Sequence, residues 1–291
     1  MPAADTAVRN DTVTLPNGGP RLALRRANGS RRPFLQVHGL ASNAQMWDGV
    51  TRRLADAGHE VAAVDLRGHG RSEVTVSGYD TATAAADLAA LIRLLGWIGD
   101  RAPIIAGQSW GGHVVLELAA RHGGVAAVAM VDGGWVRLSP RFADFDESWR
   151  ALAPPVFSGV TQDDLESQVW AWTAGWPPEG VAGALANFAV LPDGTVAARL
   201  SFEHHKQIVA SLWEHDPRAL YPLVEVPALL LVAVDDGPDP AAKQAEVAEA
   251  LAGLPDAEVC WYADAHHDLH AQLPERTSAD LLRLAVRAEL R

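Results

Sequence analysis

The chain has 291 residues, of which 48% are hydrophobic and 21% charged, enough to bury a large core without disulfides or metals. Twenty-four Lys and Arg stand against 36 Asp and Glu, and the formal charge of −12 argues against a nucleic-acid backbone or an anionic membrane as the main partner. A single cysteine, Cys260, excludes an internal disulfide and a cysteine-based zinc cluster.

The N-terminal stretch Met1–Arg32 is polar and lacks the apolar core of a leader peptide. No apolar run approaches the ~20 residues needed to cross a bilayer. A soluble, cytoplasmic, acidic protein is the expectation. Lys206 and Lys243 are the only lysines, which suggests a GC-rich genome more than a function. One oddity of composition remains: ten tryptophans accompany only three tyrosines and six phenylalanines.

Strands are predicted at Thr12–Leu15, Arg21–Arg26, Pro33–Val37, Glu60–Asp65, Pro103–Ala106, Val125–Val131, Ala228–Val234 and Glu258–Tyr262. The internal ones, such as VAAVAMV and ALLLVAV, are near-continuous apolar runs that suit strands covered on both faces. Helical patterns fall at Gln45–Ala57, Thr81–Leu95, Gly111–His122, Pro240–Leu251 and Pro274–Glu289. This alternation predicts an α/β fold with a mostly parallel, doubly wound, eight-stranded sheet. The rhythm stops between Gly133 and about His215, where helix-like patterns and the turn Pro192-Asp193-Gly194 take over. A structureless loop of that length is improbable, so a helical cap is expected over 133–215, inserted into a core of 1–132 and 216–291.

Chemistry enters at Gly107-Gln108-Ser109-Trp110-Gly111, between the apolar run APIIA and the helical pattern HVVLELAARH. Gly-x-Ser-x-Gly carries little weight alone. Between a strand and a helix it describes a sharp turn that lifts the serine oxygen above a sheet, with glycines where side chains would collide. Two further loops follow strands: His38-Gly39-Leu40, and Asp65-Leu66-Arg67-Gly68-His69-Gly70-Arg71-Ser72. Together these motifs resemble the α/β-hydrolase superfamily, over residues 12–132 and 216–290.

The resemblance implies Ser109 as nucleophile and the backbone amides of Leu40 and Trp110 as oxyanion donors, which stabilise charge because they are fixed before it develops. It assigns His38 and the Asp65–Ser72 loop structural roles. A serine hydroxyl needs a histidine base, and the histidine needs an acid. In the resembled superfamily the base lies after the last strand, often seven residues before Pro-Glu. His267 has that spacing to Pro274-Glu275, with His266 as its rival. The acid usually follows the preceding strand, which makes Asp236 the first choice and Asp235 its neighbour. Asp132, after VAAVAMV, is the further alternative. His266, His267, Asp268 and His270 also invite a metal reading, but adjacent histidines suit one ion poorly and the serine constellation already accounts for the loop.

Residues 133–215 hold six of the ten tryptophans and eleven of the nineteen aromatic residues. Most are expected to build the insertion's own core, with two or three lining an apolar pocket above Ser109. The expected activity is a serine hydrolase that cleaves carboxylic esters or lactones of a hydrophobic small molecule through an acyl-enzyme, without metal or organic cofactor. C–C bond or amide hydrolysis on the same triad, and a ligand receptor that retains the triad, are the alternatives.

Overall fold

A computed structural model describes residues 7–234 and 240–290. The chain runs β1 (Arg9–Thr14), β2 (Arg21–Ala27), β3 (Arg31–Val37), α1 (Asp48–Asp56), β4 (His59–Val64), α2 (Thr81–Leu94), β5 (Ile104–Gln108), α3 (Trp110–Arg121) and β6 (Ala127–Val131). It continues through α4 (Phe145–Leu152), α5 (Gln162–Trp172), α6 (Pro178–Leu185), β7 (Phe188–Val190), β8 (Val196–Ala198) and α7 (Phe202–Glu214). It ends with β9 (Ala228–Ala233), α8 (Pro240–Gly253), β10 (Ala257–Tyr262), α9 (Leu269–Gln272) and α10 (Pro274–Glu289).

Eight strands form one sheet in the order β1-β2-β4-β3-β5-β6-β9-β10. Strands β3 to β6, β9 and β10 pair in parallel, and β2 pairs antiparallel with both β1 and β4. The apolar strands serve two layers at once, because successive side chains leave opposite faces. Leu35, Ile105, Val128 and Leu230 join α2, α3 and α8 in one layer. Phe34, Ile104, Ala127 and Leu229 join α1 and α10 in the other.

The connection leaving β3 goes outward to β4, and the chain then returns to the opposite side of β3 to form β5. Such a reversal opens a crevice at the carboxyl ends of the strands. His38 leaves the end of β3 there and Ser109 leaves the end of β5, so two of the sequence motifs meet because of strand order.

Residues between β6 and β9 leave the sheet and build α4 to α7. They also form a small hairpin of β7 and β8, closed by Leu191 and Thr195 around Pro192-Asp193-Gly194. The turn is visible in the sequence, but strands of three residues are too short to show a period. Leu165, Val169, Trp176, Val181 and Val196 pack there against Met46 and Ala271 of the sheet-bearing part. The helix expected from Gln45 starts at Asp48, after a 3-10 turn over Ala44–Trp47 capped by the Asn43 side chain. The run expected as loop up to His270 closes into α9, which buries that histidine.

His270 is fully buried against Trp47, with ring centroids 4.3 Å apart and, among the described residues, no hydrogen-bond partner for either ring nitrogen. Burial, with a smaller contribution from His267 and His38, lowers its pKa from 6.5 to about 3. Between those values the unfolded chain binds a proton that the folded protein refuses. Stability is therefore complete above pH 6.5 and falls as the pH drops toward 3. This one group removes about 2 kcal/mol by pH 5. Urea unfolding of His270→Phe at pH 7.5 and pH 5 is expected to show a loss smaller by that amount than in the parent. An equal loss in both proteins contradicts the assignment.

Candidate active site

Ser109 lies between β5 and α3 with φ 54° and ψ −120°, a strained backbone for any residue but glycine. A side chain at Gly107 would strike the Gly111 carbonyl, and one at Gly111 would lie 2.5 Å from the His38 oxygen. A Cβ at Gly133, just after β6, would lie 2.5 Å from the Ser109 Cα. The turn is thus enclosed by backbone on several sides, and only glycine lets the chain segments approach so closely. Gly39 packs there as well, its missing Cβ falling 2.9 Å from the Ser109 Cβ. Trp110 opens α3, where the first-turn amides have no partner within the helix. Its indole points the other way, buried against His69 and donating to Thr81 Oγ1 at 3.1 Å.

The loop containing Leu40 is braced by histidines. His38 donates through Nδ1 to the Gly39 carbonyl at 2.7 Å and accepts the Leu66 amide at Nε2 at 3.0 Å. His69 donates to the Arg67 carbonyl and accepts the Ala41 amide, tying the second loop to the first. Burial lowers the pKa of both rings and keeps them neutral, as these acceptor roles require. Asp65 accepts the amides of Ala44 and Arg71, and Arg67 forms a two-pronged pair with Asp87. These are bracing roles, matching the structural reading of both motifs.

The two adjacent histidines of the last loop diverge. His266 accepts the indole N–H of Trp172 at 3.1 Å and lies against Trp176, its ring centroid 5.3 Å away. His267 turns to Asp132, with Nδ1 2.7 Å from Oδ2. His270, facing Trp47, points elsewhere again. The carboxylate of Asp132 is 3% exposed and fully engaged. Oδ1 accepts the Ala233 amide at 3.1 Å and the Lys243 ammonium at 2.7 Å. Burial pushes this acid up, and the His267 hydrogen bond and the Lys243 charge more than reverse that, holding it below the usual carboxylate range. Asp132 itself sits at φ 44°, a second strained residue at a strand end. Asp235 and Asp236 lie outside the described residues.

Two side chains of this centre carry no sequence signal. Gln108 donates through Nε2 to the His267 carbonyl at 3.2 Å, fastening the histidine loop to the strand that ends in the serine. Lys243 reaches Asp132 from α8, 111 positions along the chain, which only the fold brings together. The aromatic-rich insertion is less buried than expected. Trp135 and Trp176 are buried, while Trp170 and Trp172 are about half exposed. Trp172 and Trp176 do meet, with centroids 5.2 Å apart, across the turn that ends α5.

A family model described as alpha/beta hydrolase fold matches residues 32–272, which include every one of these loops. The chain belongs to the α/β-hydrolase family. It is 30% identical over 264 residues to a non-heme haloperoxidase of Rhodococcus erythropolis, covering 87% of this chain and 92% of that protein. Among solved structures, an E-2-(acetamidomethylene)succinate hydrolase superposes with a TM-score of 0.78 at 24% identity, over 96% of this chain and 99% of that one. An esterase from Thermogutta terrifontis superposes with a TM-score of 0.71 at 22% identity, over 96% and 99%. Both likenesses show the same fold.

The contact between Gly133 and Ser109 gives a direct test of the enclosed turn. Gly133→Ala is expected to lose about 1–3 kcal/mol in chemical denaturation, because backbone rather than a flexible side chain stands in the way. An unchanged unfolding midpoint would contradict so close an approach.

Proposed function

We propose that the protein is a serine hydrolase that cleaves carboxylic esters or lactones of hydrophobic small molecules through an acyl-enzyme. The observation that carries the reading is the 2.7 Å contact between His267 Nδ1 and Asp132 Oδ2. A neutral imidazole that donates from Nδ1 keeps its lone pair on Nε2, the form a general base needs. Ser109, strained at the head of α3, is the nucleophile. The acid in this reading is Asp132; Asp236, first choice on sequence pattern, lies outside the described residues.

His267 takes the hydroxyl proton as Ser109 Oγ attacks the carbonyl carbon. The amides of Leu40 and Trp110 hold the resulting oxyanion, each contributing about 3 kcal/mol to transition-state stabilisation. The alkoxide then leaves with the proton from His267, and in a lactone it stays tethered to the acyl chain. Water, deprotonated by the same histidine, attacks the acyl-serine, and the proton returns to Ser109 Oγ. No metal or organic cofactor takes part. Residues 133–215 form the cap, and Trp172 and Trp176 bring its apolar surface to the histidine loop. That surface favours a ring-bearing or aliphatic acyl or alcohol group.

Hydrolysis of p-nitrophenyl butyrate tests the assignment. Ser109→Ala is expected to lose nearly all turnover, on the order of 10⁴-fold or more, while keeping the parent's melting temperature. Undiminished hydrolysis by that variant rules out the mechanism. Asp132→Asn is expected to fall about 10⁴-fold in kcat, since the amide no longer holds the productive tautomer. Asp236→Asn is expected to stay within a few-fold of the parent. The reverse pattern transfers the acid role to Asp236. Labelling of Ser109 by a fluorophosphonate, with no turnover on a panel of linear esters and lactones, would instead favour a ligand-binding protein.

A further inference from the structure

Lys243 is one of two lysines in a chain whose other 22 strong cations are arginine, and it stands 14% exposed against a carboxylate that is 3% exposed. An arginine fork favours both oxygens of a carboxylate at once. At Asp132 that would take Oδ2 away from His267. An ammonium is a point charge that engages Oδ1 alone, 2.7 Å away, beside the fixed amide of Ala233 at 3.1 Å. With Oδ1 held from α8 and from β9, the carboxylate plane is set and Oδ2 is left facing the imidazole at 2.7 Å.

We propose that Lys243 is a positioning residue of the Ser109 centre: it fixes the Asp132 carboxylate and offsets its charge, so that His267 remains unprotonated to lower pH than it would beside an unopposed buried carboxylate. This rests on the reading of Ser109, His267 and Asp132 as the reacting centre. Its electrostatic sign is independent of which member of the pair takes the proton. Adding a proton to two coupled groups is harder with a cation beside them and easier once that cation is removed.

Among the described residues, the groups recorded around His267 do not substitute for Lys243. Gln108, from β5, meets its carbonyl with an uncharged amide. His270, from α9, is held neutral by burial. Asp268 and His266 lie in its own loop, the latter accepting from Trp172 of α5, and Asp235 and Asp236 are outside the described residues.

The test is the pH dependence of kcat/KM for p-nitrophenyl butyrate between pH 4.5 and 8.5, in the full chain. In Lys243→Met the acid limb is expected to move up by about 1 pH unit, with activity near pH 6 down roughly tenfold and largely regained by pH 8.5. Lys243→Arg keeps the charge but engages both oxygens, so its kcat is expected to fall while its acid limb does not move up. A folded Lys243→Met protein with an unmoved limb overturns the proposal, as does an arginine variant whose limb moves with that of methionine. Lys243→Gln supplies the same reading if the methionine variant does not fold. The pH dependence of fluorophosphonate labelling at Ser109 supplies it if the ester is a poor substrate. Ser109→Ala and Asp132→Asn run alongside. Retained turnover in the first overturns the enzyme reading itself, and retained turnover in the second removes Asp132, and the role of Lys243 with it. Loss in both with an unmoved Lys243→Met limb overturns the proposal alone.

Discussion

The close approach of backbone to backbone around Ser109 is the constraint on which the rest of the molecule depends. The turn from β5 into α3 holds a non-glycine residue at positive φ, and it persists because neighbouring segments leave it no room to relax. Gly133 lies against it from the end of β6 and Gly39 from the end of β3. Those segments stand there because β3, β5 and β6 are adjacent parallel strands whose carboxyl ends open on one side. The double layer of apolar packing that keeps the strands in register therefore also keeps the serine in its strained geometry.

The second organising feature is electrostatic. A carboxylate as deeply buried as Asp132 is unfavourable unless its oxygens are occupied. Here they are occupied from three directions, by a strand amide, a helix ammonium and an imidazole. Each donor comes from a different element, so the fold has to be complete before the acid is stabilised. The histidines nearby divide by environment. His38, His69 and His270 are buried and kept neutral, the first two as braces between loops, while His267 is part-exposed beside a carboxylate. Sequence position alone does not separate these roles, since the four histidines lie in three short loops and two of them are three residues apart.

The insertion between β6 and β9 joins these features to solvent. Its apolar cluster docks on Met46 and Ala271, and its tryptophans reach the histidine loop through His266, the immediate neighbour of His267. Trp172 and Trp170 stay substantially exposed, so the aromatic excess noticed in the composition is divided between packing and open surface.

Much of this was legible in the sequence by itself. Near-continuous apolar runs specify strands covered on both faces, and the glycines flanking Ser109 specify a turn that tolerates no side chains; both follow from local sterics and periodicity, which a linear pattern records. The sheet and the elbow are readable for that reason, while the loop carrying His267 is readable through its resemblance to the superfamily's spacing before Pro274-Glu275. The three-residue strands of the hairpin and the burial of His270 are not, because they fall below the length at which periodicity speaks or depend on what packs above them. The pairing of His267 with Asp132 is the sharpest case. Asp132 and Asp236 both follow apolar strands and look alike along the chain. Only the lateral order of strands brings Asp132 to the imidazole, and only the docking of α8 brings Lys243 to Asp132. Contacts between residues more than a hundred positions apart are made by topology, and no local pattern encodes them.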